Sequence, residues 1–210
     1  MTNDAPEFER LLAVIEDGFS RTPRLIVAIA GPPGAGKSTL ANRLESALLA
    51  RGLPASILPM DGFHMDNGVL EERGLLTRKG APETFDVRGL HDLLRAVRTG
   101  VEVLAPVFDR DRELAIAAAR AIAAGPQIIL AEGNYLLLDE APWNGLADLF
   151  DLTVMLAPPE EELRRRLDAR WRHYKLSESA ILEKLDGNDL PNGRRVLEKS
   201  RPAGFRFSNV

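Results

Sequence analysis

Apolar positions along this chain fall into two patterns that take turns. Short continuous runs, such as Leu25-Ile26-Val27-Ala28-Ile29-Ala30, Gln127 to Ala131 and Asp151 to Leu156, suit strands buried on both faces. Ala55 to Met60 and Val101 to Phe108 read as further strands. Between them, apolar residues recur at helical spacing. Phe8, Leu11, Leu12, Ile15 and Phe19 mark an opening helix; Leu40, Ala41, Leu44, Ala47 and Leu48 mark a second; Leu90, Leu93, Leu94 and Val97 mark a third over 87–98. Leu163, Leu167 and Trp171 form the apolar stripe of a charged helix over 160–174, and shorter helices are expected over 179–185 and 192–199. Alanine propensity favours helix over 113–124, although an Ala/Ile run also fits an extended strand. Residues 61–86 form a long polar stretch with glycines at 62, 68, 74 and 80. Long loops of this kind in compact domains are usually functional or disordered.

Strands alternating with helices predict an α/β fold, a parallel sheet covered on both faces. With 210 residues, a single domain over 1–210 is the natural expectation. In such sheets ligands gather at the carboxyl ends of the strands. Composition narrows the chemistry. The net charge of −4 lacks the basic excess of a general nucleic-acid binder. The absence of cysteine excludes disulfides, thiolate metal sites and thiol nucleophiles. No apolar run reaches the length of a membrane span. The first ten residues are acidic and lack the apolar core of a secretory leader, so a cytoplasmic compartment is expected. Oligomeric state stays open, a homodimer included.

The segment Gly31-Pro32-Pro33-Gly34-Ala35-Gly36-Lys37-Ser38-Thr39 follows the first strand and opens the second helix. It is the full G-x-x-x-x-G-K-[ST] pattern, and each position has a mechanism. The glycines let successive N–H groups turn into one concave space that suits a polyphosphate. The helix N-terminus favours the same anion. Lys37 supplies a mobile positive charge, and the Ser38 hydroxyl can ligate Mg2+. Asp61 and Glu132 close two strands and belong on the ligand side. Phosphoryl transfer to an alcohol needs a carboxylate to accept the acceptor's proton and another near the metal; Asp61 suits the first role and Glu132 the second. Arg166 and Arg170 share one flank of the charged helix, and forked guanidinium groups match the charge of a transferring phosphoryl group. A solvated face paired with Glu160, Glu161, Glu162 and Asp168 is the plainer reading of that helix. His64, His91 and His173 have no metal-ligand spacing. His91 is expected to be structural and His173 at the surface, whereas His64 follows Asp61 on the ligand-side loop. Asn188 to Asn192 reads as a turn and helix start, and it is not a guanine-reading N-K-x-D.

Four further blocks carry a resemblance. Asp61-Gly62-Phe63-His64 resembles the D-G-F/Y-H signature of pantothenate, uridine and phosphoribulokinase-type kinases. Arg78-Lys79-Gly80-Ala81-Pro82-Glu83-Thr84-Phe85-Asp86 is similar to the R-K-G-x-P-E-S-[YF]-D run of bacterial pantothenate kinases. Pro106-Val107-Phe108-Asp109 resembles the family's P-V-Y-[DS] strand, and Ala131-Glu132-Gly133 its V-E-G block. The nearest subset resembles the bacterial uridine-kinase-like or fructose-transport-system kinases. The resemblance spans roughly 25–195. It implies a P-loop NTPase-type three-layer α/β/α fold with a five-stranded parallel sheet and a helical lid over about 160–190. It also implies ATP-dependent, Mg2+-dependent phosphorylation of a small-molecule hydroxyl, with Asp61 as catalytic carboxylate. His64, Phe85, Asp86 and Arg110 are placed near the acceptor by the same likeness, and Arg78 lies in its second block. Asn134-Tyr135 stands where the family usually carries an apolar pair, and joins the candidate acceptor-binding residues. A sugar such as fructose, a nucleoside such as uridine, or a pantothenate-like alcohol are the candidate acceptors; the polar residues of the 61–86 loop lean toward the sugar. The rival reading is a nucleotide switch or accessory NTPase that acts on a protein partner.

Overall fold

A computed structural model of the protein describes residues 5–207. In chain order the elements are α1 (Ala5–Arg21), β1 (Arg24–Ala30), α2 (Lys37–Ala50), β2 (Ala55–Pro59), α3 (Asn67–Glu72), α4 (Val87–Arg98), β3 (Val103–Asp109), β4 (Leu114–Ile122), β5 (Gln127–Gly133), β6 (Leu152–Leu156), α5 (Glu160–His173), α6 (Glu178–Lys184), α7 (Leu190–Lys199) and β7 (Phe205–Phe207). Five strands form one sheet in the order β2-β5-β1-β6-β7, all parallel. Every residue of β1 and β5 is buried, which is why both read as unbroken apolar runs.

The pleat of β1 divides the core in two. Leu25, Val27 and Ile29 pack in the cluster that holds Leu12 of α1 and Leu44 of α2; Ile26, Ala28 and Ala30 pack with Leu90 and Leu94 of α4 and with Trp143. The result is a sheet covered by helices on both faces. At the base of β1, the buried Arg24 guanidinium donates to the carbonyl oxygens of Val97, Val101, Ala123 and Gly125. Four backbone acceptors compensate a charge that burial would otherwise penalise.

The structure decides what the sequence leaves open at several places. The 113–124 run is extended, not helical: β4 pairs antiparallel with β3 in a separate two-stranded ribbon. Asp109 accepts from the amides of Asp111 and Arg112 and so fixes the ribbon's turn. Pairing to a partner strand outweighs the helix propensity of alanine. The fifth strand of the main sheet is therefore the three-residue β7, too short to leave a periodic signal. The turn expected at 188–192 is a π-helical turn, Leu185–Asp189, that runs directly into α7 with Pro191 in its first turn. The 61–86 stretch also has order: α3, short 3-10 turns, and a bridge between His64 and Phe85.

Candidate active site

The site lies where β1, β2 and β5 end, the position that sheet topology favours. Between β1 and α2 the glycine loop curls back on itself, with the Ala35 amide donating to the Pro32 carbonyl at 3.1 Å. Gly36 caps α2 at φ +92°, a left-handed conformation that a side chain would strain. α2 thus begins at Lys37, and its first amides face the cleft without side-chain caps. The Lys37 ammonium is buried and donates to the Pro32 carbonyl at 2.8 Å. Burial lowers its pKa to about 8, against the opposing pull of Glu132 and Asp61.

The Ser38 hydroxyl donates to Glu132 Oε2 at 3.2 Å. Glu132 is 8% exposed on β5; burial first, and the Asp61 charge second, push its carboxyl above the ordinary range. Asp61 sits in the 3-10 turn Met60–Phe63 that follows β2. The next residue must be glycine: a Cβ on Gly62 would lie 2.2 Å from the Pro106 carbonyl oxygen, so only a bare backbone lets this turn lie against β3. Arg110, on the ribbon's turn, donates to the Asp61 carboxylate. His64 Nδ1 faces the Asp61 carbonyl oxygen at 2.7 Å, and the imidazole packs against Phe85 and Phe108 with centroids 4.1 and 4.5 Å away. Burial lowers the His64 pKa.

These groups surround one cleft of about 540 Å³. Pro33, Gly34, Gly36, Lys37, Ser38, Thr39, Asp61, His64, Phe85, Arg110, Glu132, Asn134, Arg166 and Arg170 all line it. α5 supplies the two arginines. Arg166 is held by Glu162 at 2.6 Å, and the Arg170 guanidinium lies over the Trp171 ring at 5.1 Å. Besides Gly31, Pro32 and Ala35 of the glycine loop, three residues read from the sequence stand outside the lining. Arg78 pairs with Glu83 at 2.7 Å, and Asp86 caps α4 by accepting from the Gly89 amide at 2.9 Å. Tyr135 is fully buried, and its hydroxyl donates to the Gly80 carbonyl at 2.6 Å. Of the three, Tyr135 supports the wall, through the lining residue Gly80, while Arg78 and Asp86 are exposed. The lining also includes Lys79, Trp171, Asn188 and Asp189, which sequence reasoning did not select. Lys79 adjoins the chosen Arg78 in the same block, and only the fold shows which of the two faces inward.

A glycine loop with open amides, a buried lysine and a hydroxyl–carboxylate pair can hold a polyphosphate and a hard cation. A carboxylate beside them can receive a proton. Residues 26–177 match the model of the "Phosphoribulokinase / Uridine kinase family". The chain is 39% identical over 184 residues to "Uncharacterized protein YggC" of Escherichia coli, covering 87% of this chain and 76% of that one. It is 32% identical over 207 residues to "Putative uridine kinase C227.14" of Schizosaccharomyces pombe, covering 90% and 86%. Among solved structures, a "putative fructose transport system kinase" from Silicibacter sp. TM1040 superposes with a TM-score of 0.84 at 41% identity, covering 93% of this chain and 98% of that one. The chain belongs to the phosphoribulokinase/uridine kinase family, and it is a small-molecule kinase, an ATP-dependent phosphotransferase.

Proposed function

We propose that this cleft transfers the γ-phosphoryl group of ATP to a hydroxyl of a small polar acceptor, with Mg2+ as cofactor. The observation that carries the reading is that Lys37, Ser38, Glu132 and Asp61 line one cavity. Backbone amides of 34–38 and Lys37 would hold the phosphates. Ser38 and Glu132 would hold Mg2+, which when bound neutralises charge on the phosphate oxygens. Their fit is chemical: two oxygen donors in contact, one a buried carboxylate, suit a hard cation. Mg2+ with nucleotide usually takes few protein ligands, consistent with there being no cluster of three or more metal-ligating side chains among the described residues.

Asp61 takes the acceptor's proton as its oxygen bonds to the γ-phosphorus and the bond to ADP breaks. Arg110 steers that carboxylate and is released to the acceptor or the phosphoryl oxygens when the site fills. α5 and α6 act as the lid, bringing Arg166 and Arg170 over the phosphates and excluding water. The whole chain works as a single kinase unit, and an ATP-supplied cytoplasm suits it.

His64 supports a polyol or sugar acceptor. A carbonyl oxygen faces Nδ1, so Nδ1 carries the hydrogen; with its pKa lowered, the ring is neutral and Nε2 is left as an acceptor. A second hydroxyl on the substrate would donate to it. The names borne by the relatives point to uridine and to fructose, and a pantothenate-like alcohol completes the set. The decisive experiment incubates the protein with MgATP and a panel of sugars, polyols, nucleosides and pantothenate, and follows phosphorylated product by mass. A product 80 Da heavier than one panel member is expected. ATP hydrolysis that no small molecule stimulates, but a protein partner does, would replace this reading with a nucleotide switch.

A further inference from the structure

The π-helical turn Leu185–Asp189 sends two neighbouring side chains to opposite walls of the cleft. Its wider winding is visible in the Leu190 amide, which donates to the Leu185 carbonyl five residues back. Single π turns inside helices concentrate at functional positions. Asp189 Oδ2 accepts from Trp171 Nε1 at 2.7 Å, on the helix that carries Arg166 and Arg170. Asn188 Nδ2 donates to the Lys79 carbonyl at 3.0 Å, on the acceptor-side loop. Asn192, one turn on in α7, donates to Asn188 Oδ1 at 2.9 Å and so fixes which way the amide faces. Lys79 extends the connection, since its ammonium donates to Asn67 Oδ1 at 2.8 Å and to the Glu113 carbonyl at 2.6 Å, next to the ribbon turn of Arg110. Hydrogen bonds, linked through the Asn188–Asp189 backbone and the Lys79 side chain, therefore join the arginine helix to the acceptor loop and to the ribbon.

We propose that Asn188 is a positioning residue: it passes the ordering of α5 on nucleotide binding to the Lys79–Gly80 loop, so that the acceptor wall is set once the nucleotide is in place. This inference rests on the reading that residues 31–39 bind ATP. A nucleotide that draws Arg166 and Arg170 inward must move Trp171, hence Asp189, hence its neighbour Asn188. The loop can register that movement, because its amides are in small local bonds: Lys79 to the Leu76 carbonyl, Gly80 to Thr84 Oγ1 and Ala81 to the Arg78 carbonyl. Opening of such bonds is what hydrogen exchange measures.

The experiment follows amide exchange by mass spectrometry with and without Mg2+ and a non-hydrolysable ATP analogue, in the full chain, with analogue affinity measured by calorimetry. In the wild type, the analogue should slow exchange both in 160–173 and in 78–85, by at least about threefold. Asn188→Ala should keep analogue affinity within about twofold and keep the slowing in 160–173, but lose it in 78–85. Asn188→Asp, isosteric but without the donor, should behave as the alanine variant, which protects the result if alanine destabilises α7. Slowing of 78–85 that survives in both variants overturns the proposal. So does a loop whose exchange is faster by one common factor with and without analogue, the signature of a purely structural bond. Wild-type protein that fails to bind the analogue removes the nucleotide reading itself, an outcome distinct from loss of coupling.

Discussion

Arg110 reaches from the turn of the β3–β4 ribbon to the carboxylate of Asp61 at the end of β2, two elements separated by 49 positions in the chain. The pair holds the proposed base in the cleft before substrate arrives. Asp61→Asn keeps the shape and removes the basic oxygen. Phosphoryl transfer should fall by more than about a hundredfold, the lower end of general-base effects, with nucleotide affinity nearly unchanged. Steady-state turnover on the acceptor found by the panel, with calorimetry for the nucleotide, checks both parts. Unchanged turnover would remove Asp61 from the reaction.

Lys37 gives a pH dependence of definite sign. Its folded pKa is lowered to about 8 from 10.5, so the ammonium is lost as pH rises through about 8. Affinity for an ATP analogue should fall across that range, and Lys37→Met should abolish the dependence. Stability of the nucleotide-free protein runs the other way. Between about pH 8 and 10.5 the unfolded chain binds the Lys37 proton more than the folded one does, so this group's contribution to folding stability rises with pH. Denaturant titrations of wild type and Lys37→Met at pH 7.5 and 9.5 isolate it; a difference that shrinks toward high pH is expected.

Arg170 makes no ion pair among the described residues, and burial beside Arg110 disfavours its charge, although Asp61 and Asp189 oppose that. A half-buried guanidinium that makes no ion pair among the described residues is poised for an anion. Arg170→Ala should reduce kcat by about 10²–10³-fold, the scale of losing one preorganised donor to a developing charge. Arg165→Ala, an exposed partner of Glu162 on the same helix, should leave kcat within about twofold. Equal effects from the two would indicate a general requirement for the helix's charge.

Gly62→Ala tests the close approach that sets the catalytic turn. The added methyl would meet the Pro106 carbonyl, so the turn must shift away from β3. A loss of about 1–3 kcal/mol in stability is expected, as for overpacked sites, together with a fall in kcat from the displaced Asp61. Gly145→Ala, with open space around the new methyl, is the control that should retain stability.

Much of the site was legible because its chemistry is local. The loop 31–39 needs glycine, lysine and serine at set spacing to bend and bind, and Asp61 and Glu132 announce themselves by closing apolar runs. Helical spacing puts Arg166 and Arg170 of α5 on one flank, and the resemblance, which sets a lid there, favours them over a merely solvated face. Arg78, Asp86 and Tyr135 were read as site residues because they share blocks with true lining residues. Tyr135 is held by a partner 55 positions away, the Gly80 carbonyl, which its neighbours in sequence do not reveal, whereas Asp86 is taken up locally as the cap of α4 and Arg78 by Glu83. Asn188 and Asp189 looked like an ordinary turn, since nothing in their neighbours in sequence reveals Lys79 or Trp171 across the cleft.

The sequence by itself determined the parallel sheet, its two apolar faces and the anion-binding bend, because periodicity and backbone freedom are properties of short segments. Tertiary structure decided the rest. The alanine-rich run became a strand because β3 offered it a partner, three residues at the end of the described chain became the fifth strand because β6 had an open edge, and the inward choice of Lys79 over Arg78 followed from packing. In each case the deciding interaction joins residues distant in the chain, and its free energy exists only once the fold has brought them together.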